Sequence, residues 1–434
     1  MVLAFVDRYS RWVGAAAGWL IYRRIKIYSR SLPPIALAMV LSTLLDPSGR
    51  SLIHDGDFIL FYTGGRFLLD GRLSALYDFA AQQTFQLQTL KLTAEQFTPF
   101  NHPPHTVLLY APFTLAGFDA GLMLWTLCGL AALALAWKLL RSELAALTSY
   151  STAALTLMGF CFYPTIAWLL ANQNSALSFL LLTIFYVHLR RGGDLTAGVA
   201  LGCLLYKPQL LMVPGFMLLL NHRWRALGGC LLSASLWVGV GFLLNPDATF
   251  DYLRGMPQIA ELPFLPSYPI AKLHNIYGFC ILLFGGVLPV AVVKFLAALL
   301  TLAGLALVYR CWRSSSWLPA TRTWDLQMAA TLALGLMISP HLMFYDLMIL
   351  LLPLTIVWSH YAQGCNGRAL DGDRLLVWYA LVYVAVFVGS YLSLGMLQLG
   401  PALGWPRFAV QISVPIVIGW ALVVHRLATK NELA

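Results

Sequence analysis

Long apolar runs alternate with small basic clusters along the whole chain. A helix crossing the hydrocarbon of a bilayer needs about 20 apolar residues. Extended runs recur at 103–140, 151–171, 227–244, 276–309, 342–358 and 375–394, and shorter ones stand at 32–45, 176–189, 195–206, 210–220, 326–338 and 410–424. Basic residues close many of them: Lys138 with Arg141, Arg190 with Arg191, Arg223 with Arg225, Arg310 with Arg313, and Arg426 with Lys430. Lys and Arg gather in cytoplasmic loops. Placing all of these groups inside gives about twelve crossings with both ends cytoplasmic. The runs 103–140 and 276–309 must each cross an odd number of times, the first as a short surface helix followed by one long span. The pattern predicts an all-α polytopic membrane protein, one integral domain over residues 1–434, with two long extracytoplasmic loops at 46–102 and 245–275. In the first loop Phe58, Phe61, Phe67 and Leu68 mix with Arg66, Asp70 and Arg72, a pattern that suits a helix lying at the interface. The weakly apolar stretch 12–22, followed by Arg23, Arg24, Lys26 and Arg30, has no cleavage site and predicts an amphipathic helix on the cytoplasmic surface.

Composition sharpens this picture. The chain is 59% hydrophobic and 11% charged, and its mean hydropathy is +0.74. Soluble domains carry roughly 25% charged residues, so a water-soluble fold is excluded. The net charge of +10 is spread in small groups between apolar runs rather than collected in one patch, which reads as topology and not as a nucleic-acid surface. The seven cysteines show neither CxxC nor metal-ligand spacing and read as small buried hydrophobes.

Six polar clusters interrupt the apolar runs, mostly at predicted outer ends: His54-Asp55-Gly56-Asp57, Asn101-His102-Pro103-Pro104-His105, Asn172-Gln173-Asn174, Lys207-Pro208-Gln209, His274-Asn275, and Ser339-Pro340-His341 with Tyr345 and Asp346 beyond it. An ionisable residue at membrane depth is costly and is a functional hypothesis by default. Each cluster also has a plainer reading. Asp55 or Asp57 can cap an interfacial helix. Asn172 to Asn174 can form a tight turn. Lys207 can snorkel to headgroups, although the two runs flanking it are short and suit a cavity dipping into the bilayer. A lone histidine is usually structural. Pro103 and Pro104 separate His102 from His105 and break the helical geometry a zinc pair would use. No HExxH, P-loop, GxGxxG or GxSxG motif is present, so neither cytoplasmic ATP nor a nucleotide-sugar is indicated.

At these clusters the chain resembles glycosyltransferase family 87, mannosyltransferase-like proteins of the GT-C fold that use polyprenyl-phosphate-mannose. Asp57-Phe58, Tyr62, Gly71 and Leu76-Tyr77-Asp78 carry the likeness first. Asn101-His102-Pro103-Pro104, Gln173 with Asn174, the run Ala197-Gly198-Val199-Ala200-Leu201-Gly202 leading to Lys207-Pro208, Trp224-Arg225 and Ile338-Ser339-Pro340 carry it further. The chain departs from the family pattern in having Asn101-His102 before the two prolines, Asn172-Gln173-Asn174 at the turn and His341 to Asp346 after Ser339-Pro340. The resemblance implies sugar transfer from a polyprenyl-phosphate carrier to a glycolipid or glycan acceptor on the extracytoplasmic face of the plasma membrane. It implies Asp57 as general base, with Asp55 as the alternate. Lys207, His341 and His274 would meet the donor phosphate. Asn101, His102, Asn172, Gln173, Asn174 and Asn275 would read sugar or acceptor hydroxyls. No cofactor is expected; a divalent cation bridging the phosphate and Asp57 is allowed but not required.

Two other classes fit part of the pattern. A flippase or small-molecule transporter also has many spans and intramembrane polar groups, but such folds often show internal repeats, and none is visible here. A polysaccharide polymerase or ligase leans on arginine and histidine in a late loop; here the early Asp loop dominates and Arg254 is the only arginine of the later one.

Overall fold

The structure is a computed structural model describing residues 56–90, 97–264, 268–313, 316–364, 369–400 and 408–429; within these, side chains at 259, 260, 362–364 and 369–376 are left out. Asp55, the first expected span at 32–45 and the expected N-terminal surface helix lie outside the described residues.

The described chain is all-helical, with one isolated antiparallel bridge, Leu273 to Met343. In chain order the helices are α1 (Phe58–Leu69), α2 (Phe79–Thr89), α3 (Val107–Thr114), α4 (Phe118–Glu143), α5 (Thr152–Gly159) and α6 (Tyr163–Ala171). Next come α7 (Ser175–Arg190), α8 (Asp194–Gly202), α9 (Met212–Leu220), α10 (Trp224–Leu244) and α11 (Pro246–Glu261). The last six are α12 (Ile276–Phe284), α13 (Val290–Trp312), α14 (Arg322–Ile338), α15 (Leu351–Gly364), α16 (Ala369–Leu399) and α17 (Ser413–Thr429).

Among the described residues five helical stretches are long and apolar enough to cross a membrane: Phe118–Glu143, Trp224–Leu244, Val290–Trp312, Phe344–Tyr361 and Val377–Leu399. The protein is therefore multi-pass. A sixth span is reached if α5 and α6, bent by 85°, count as one. Among the described residues this is fewer than the twelve or so crossings the hydrophobic runs suggest; the run 32–45 lies outside them, and several of the short runs form helices too short to span. The run 210–220 becomes a helix of 9 residues, which at 1.5 Å per residue reaches only about 14 Å, under half of a hydrocarbon core. The run 151–171 is no straight crossing either. Pro164 lacks an N–H, and its ring would clash with the carbonyl of residue 160 in a continuous helix; the helix breaks there. As the pattern predicted, 103–140 forms a short helix, α3, before one long span, α4.

The described chain divides into two compact units. The first unit comprises the described residues of Thr43–Ala136 and Ala167–Ile270, the second Trp137–Ile166 and the described residues from Ala271 onward.

In the first unit, α8 and α10 lie unusually close. A Cβ on Gly198 would stand 1.8 Å from the carbonyl oxygen of Ala226, and one on Gly202 would stand 2.0 Å from Ser233 Oγ. From the facing side, a Cβ on Gly229 would stand 2.4 Å from the Leu195 carbonyl oxygen. Small residues let two backbones approach within lipid, and Ser233 Oγ donates across the contact to the Val199 carbonyl at 3.0 Å. Arg223 and Asp194 pair at the end of the same hairpin, 2.5 Å apart. In the second unit α14 is the buried core helix, Trp324 through Ile338 being almost wholly enclosed. It packs along α17 and α15. The faces of α10 and α13 carry exposed Leu231, Leu236, Phe295 and Leu302, as lipid-facing helices require.

Candidate functional site

The first unit contains, in part or whole, four of the six clusters, and three of them meet around the start of α1 and the turn between α6 and α7. Asn172 adopts a left-handed backbone, φ 54°, a conformation asparagine tolerates better than most residues. The turn it makes ends α6 and starts α7, so the plainer reading of Asn172-Gln173-Asn174 as a tight turn is correct. The turn is also buried: the three residues are 3%, 5% and 2% exposed. Gly56 lets the chain pass it, because a Cβ there would meet Asn172 Nδ2 at 2.5 Å. The Asp57 N–H then donates to the Ala171 carbonyl at 2.8 Å. Gln173 Nε2 donates to the Asp57 carboxylate, Oδ2, at 2.6 Å. Asp57 does stand at the start of α1, but its side chain makes no capping hydrogen bond; the carboxylate is directed to Gln173 instead.

An aromatic wall holds this turn. Trp125 Nε1 donates to the Asn172 carbonyl at 2.8 Å, and Trp168 Nε1 donates to the Gln173 carbonyl at 2.6 Å. Asn174 Nδ2 donates to the Tyr110 hydroxyl at 3.1 Å. Tyr110 stacks on Phe61, ring centroids 4.2 Å apart, and Trp125 packs on Phe58, Phe61 and Tyr110. Among the described residues Asn174 Oδ1 is buried with no hydrogen-bond partner. A buried unsatisfied acceptor is costly, so this oxygen is suited to a donor brought by a ligand hydroxyl or by water.

Residues 97–102 approach the same wall in extended form, and two buried glutamines of α2 stand in for a neighbouring strand. Phe100 N donates to Gln82 Oε1 at 2.7 Å, while Gln82 Nε2 donates to the carbonyls of Leu76 at 2.6 Å and Phe100 at 3.3 Å. Thr98 N donates to Gln86 Oε1 at 3.1 Å, and Gln86 Nε2 returns to the Thr98 carbonyl at 2.8 Å. The Tyr77 hydroxyl donates to the His102 carbonyl at 2.7 Å. Asn101 and His102 are half-buried, and the His102 ring meets Phe61 edge-on at 5.4 Å. His105 turns elsewhere: it is buried against Trp237, ring centroids 5.5 Å apart, and burial lowers its imidazole from 6.5 to about 4.

Lys207 stands between two 3₁₀ turns, Cys203–Tyr206 and Pro208–Leu210. Pro208 keeps the preceding residue out of the helical region, and Lys207 has φ −132° and ψ 72°. It is 6% exposed, so it does not snorkel into water. The neighbouring Tyr206 hydroxyl and Ser178 Oγ of α7 lie 2.8 Å apart, tying this turn to the helix that begins at the Asn172–Asn174 turn.

The other candidates belong to the second unit. Asn275 begins α12: its Oδ1 accepts from Gly278 N at 2.7 Å and its Nδ2 donates to the Ser339 carbonyl at 2.7 Å. His274 is fully buried, its Nδ1 2.8 Å from Ser413 Oγ and its Nε2 3.4 Å from Ser390 Oγ. Burial lowers its imidazole from 6.5 to about 3, and the His274 backbone N–H donates to the Leu342 carbonyl at 2.7 Å. His341 is half-buried, and its carbonyl accepts from Ser339 Oγ at 3.1 Å. Asp346 is 2% exposed. His360, expected in a cytoplasmic segment, pairs through Nε2 with the buried Asp325 at 2.8 Å. Among the described residues no three His, Cys, Asp or Glu side chains gather as a metal site.

Sequence reasoning did not single out Tyr110, Trp125, Trp168, Gln82 or Gln86. The glutamines carried a usable signal, two amides four apart on a short helix of the polar loop. The aromatics lay inside apolar runs, where nothing separates a wall residue from a core one.

The multi-pass helical protein thus carries a half-buried carboxylate held by a buried amide, further buried amides and a buried lysine in one compact unit. The model of glycosyltransferase family 87 matches residues 100–340, more than half of the chain. The chain belongs to that family and is a membrane glycosyltransferase, with a sugar donor and an acceptor as its substrates. The match includes Asn101, His102, Asn172 to Asn174, Lys207, His274 and Asn275; Asp57 and His341 lie outside it. No curated protein matches the chain, and no solved structure does.

Proposed function

We propose that the protein transfers a sugar, mannose or another hexose or pentose, from a polyprenyl-phosphate carrier to a lipid or glycan acceptor on the extracytoplasmic face, with inversion and with Asp57 as general base. The observation that carries this is the Asp57 carboxylate held by the buried Gln173 amide at 2.6 Å. An acceptor hydroxyl is a poor nucleophile until its proton is taken, and a positioned base contributes about 10²–10⁴-fold. In a single displacement the acceptor oxygen bonds to the anomeric carbon as the bond from that carbon to the phosphate oxygen breaks. The proton passes to Asp57, and the electron pair leaves on the lipid phosphate.

The departing phosphate gains charge, which a buried ammonium stabilises strongly because little water competes with it. Lys207 takes that role. Asn174 Oδ1, with no partner of its own, accepts from a sugar hydroxyl; Asn172, Asn101 and His102 offer further polar contacts in the same unit. Gln173 positions the base. His274 and Asn275, both enclosed by their own hydrogen bonds, are assigned to bracing the second unit, and His341 is that unit's candidate for a phosphate contact. The carrier's own phosphoester supplies the activation, so neither ATP nor an obligatory metal is invoked.

The test is transfer from labelled polyprenyl-phosphate sugars to membrane lipid acceptors by wild type and Asp57→Asn at equal abundance. Transfer by wild type alone upholds the reading and the base. Equal transfer by both moves the base to Asp55. Absence of transfer with every sugar favours a transporter.

A further inference from the structure

At the far end of α1 from Asp57 the first unit opens a cleft of about 500 Å³, lined among others by Tyr62, Arg66, Asp70, Arg72, Thr89 and Leu115. None of these residues lies in the matched family segment except Leu115. Arg66 donates to the Asp70 carboxylate at 2.6 Å, so that pair contributes little net charge. Arg72 keeps its charge: its guanidinium lies over the Phe67 ring, 4.6 Å from the centroid, a contact that holds the cation without neutralising it. The Tyr62 and Thr89 hydroxyls make no hydrogen bond among the described residues. The cleft thus offers one uncompensated positive charge with several oxygen- or nitrogen-borne donors, which suits a singly charged oxyanion.

Its depth narrows the ligand further. Gly117 lines the cleft and, with φ 88°, makes the turn from α3 into the spanning helix α4. The end of a spanning helix sits where hydrocarbon gives way to headgroups. Leu115, 71% exposed, lines the cleft and gives it an apolar rim, and Leu69, 43% exposed, precedes the lining Asp70 in the chain. Arginines beside exposed leucines at that depth match the phosphodiester or carboxylate of an amphiphile. Arg66 follows Asp57 by nine positions, roughly 14 Å along α1. One helix therefore carries the base at its start and the anion cleft near its end.

We infer that this cleft binds the anionic headgroup of the acceptor amphiphile, with α1 setting the span between that headgroup and the hydroxyl delivered to Asp57. Calling the occupant the acceptor rests on the glycosyltransferase reading; binding of the anion does not.

Binding is read by native mass spectrometry on the full chain in detergent, titrated with phosphatidylglycerol and, separately, with phosphatidylcholine, with inorganic phosphate as competitor. The expected result is preference for phosphatidylglycerol, reduced about tenfold or more by Arg72→Gln and further by Arg66→Gln with Arg72→Gln, the size expected for losing charge-assisted bonds. Arg254→Gln, at an exposed arginine of α11, leaves binding unchanged, and Arg72→Lys keeps part of it. Equal binding by the double variant, or an equal loss from Arg254→Gln, overturns the cleft. Displacement of the lipid by inorganic phosphate at matching concentration overturns the amphiphile as the source of the anion. In the transfer assay with total membrane lipid as acceptor, Arg72→Gln raises the half-saturating lipid concentration and leaves the maximal rate. Arginine-dependent binding by a wild type that transfers no sugar overturns the acceptor assignment together with the glycosyltransferase reading. Intact transfer with unchanged binding in the double variant overturns the cleft alone.

Discussion

The Asp57–Gln173 cluster of the first unit and the His274–Asn275 cluster of the second are both polar and largely enclosed, yet they use their side chains in opposite ways. In the first, side chains bond to side chains: Gln173 to Asp57, Asn174 to Tyr110. The backbone of the turn is satisfied separately by two indole N–H groups, and Asn174 Oδ1 is left over. In the second, Asn275 spends both ends of its amide on backbone groups, and His274 lies between two serine hydroxyls. The difference teaches that burial and polarity do not separate a working cluster from a structural one. What separates them is whether the side-chain chemistry is consumed by the fold.

Variants can break or sharpen this contrast. Asp57→Asn should have the largest effect, lowering the maximal transfer rate about 10²–10⁴-fold while thermal unfolding is unchanged. Lys207→Met should follow, costing about 10²–10³-fold in kcat as the loss of a stabilising charge at the leaving group. Asn275→Ala should reverse the pattern: about 1–3 kcal/mol of stability is lost with the two buried backbone groups left unpaired, and the residual folded enzyme keeps its KM for the donor. A second cluster that loses kcat before it loses stability would end the comparison.

Acidity provides a smaller and more general test. Burial holds His274 and His105 neutral, down to about 3 and about 4 from 6.5. The unfolded chain takes up those protons first, so the stability they contribute is full above pH 6.5 and is lost as pH falls toward the folded values. Tm in detergent should therefore decline below pH 6.5, and His274→Gln should flatten that decline while leaving transfer at neutral pH nearly intact. The smallest effect is expected from chelating divalent cations, which should leave the transfer rate unchanged.

The membrane class, the helical fold and most polar clusters were legible because lipid imposes long apolar runs, and polar residues that interrupt them stand out. The crossings were harder to count. A run such as 195–206 reads as one apolar segment, yet it becomes a helix to Gly202 and a 3₁₀ turn to Tyr206. Pro208 acts on the residue before it rather than on the run as a whole. The partnership of Asp57 with Gln173 was not legible because 116 positions separate them, and a lone amide gives no sign of its partner. The family resemblance implies a sugar contact for Gln173; its place beside the carboxylate is visible only in the fold.

The close seam between α8 and α10 has a consequence for how this protein tolerates change. The Gly198 and Gly202 positions accept almost nothing larger, since the facing carbonyl of Ala226 and hydroxyl of Ser233 stand where a methyl group would go. Gly215 on α9 has open space around it, so Gly198→Leu should be far more disruptive than Gly215→Leu. Helix α8 runs without interruption into the turn that ends at Lys207. A glycine nine positions upstream of the lysine therefore acts as its depth gauge: changing it shifts the charge before it unravels the fold. Such a lesion would register first as a slowed reaction, and a screen for catalytic residues would find it without its ever touching a sugar.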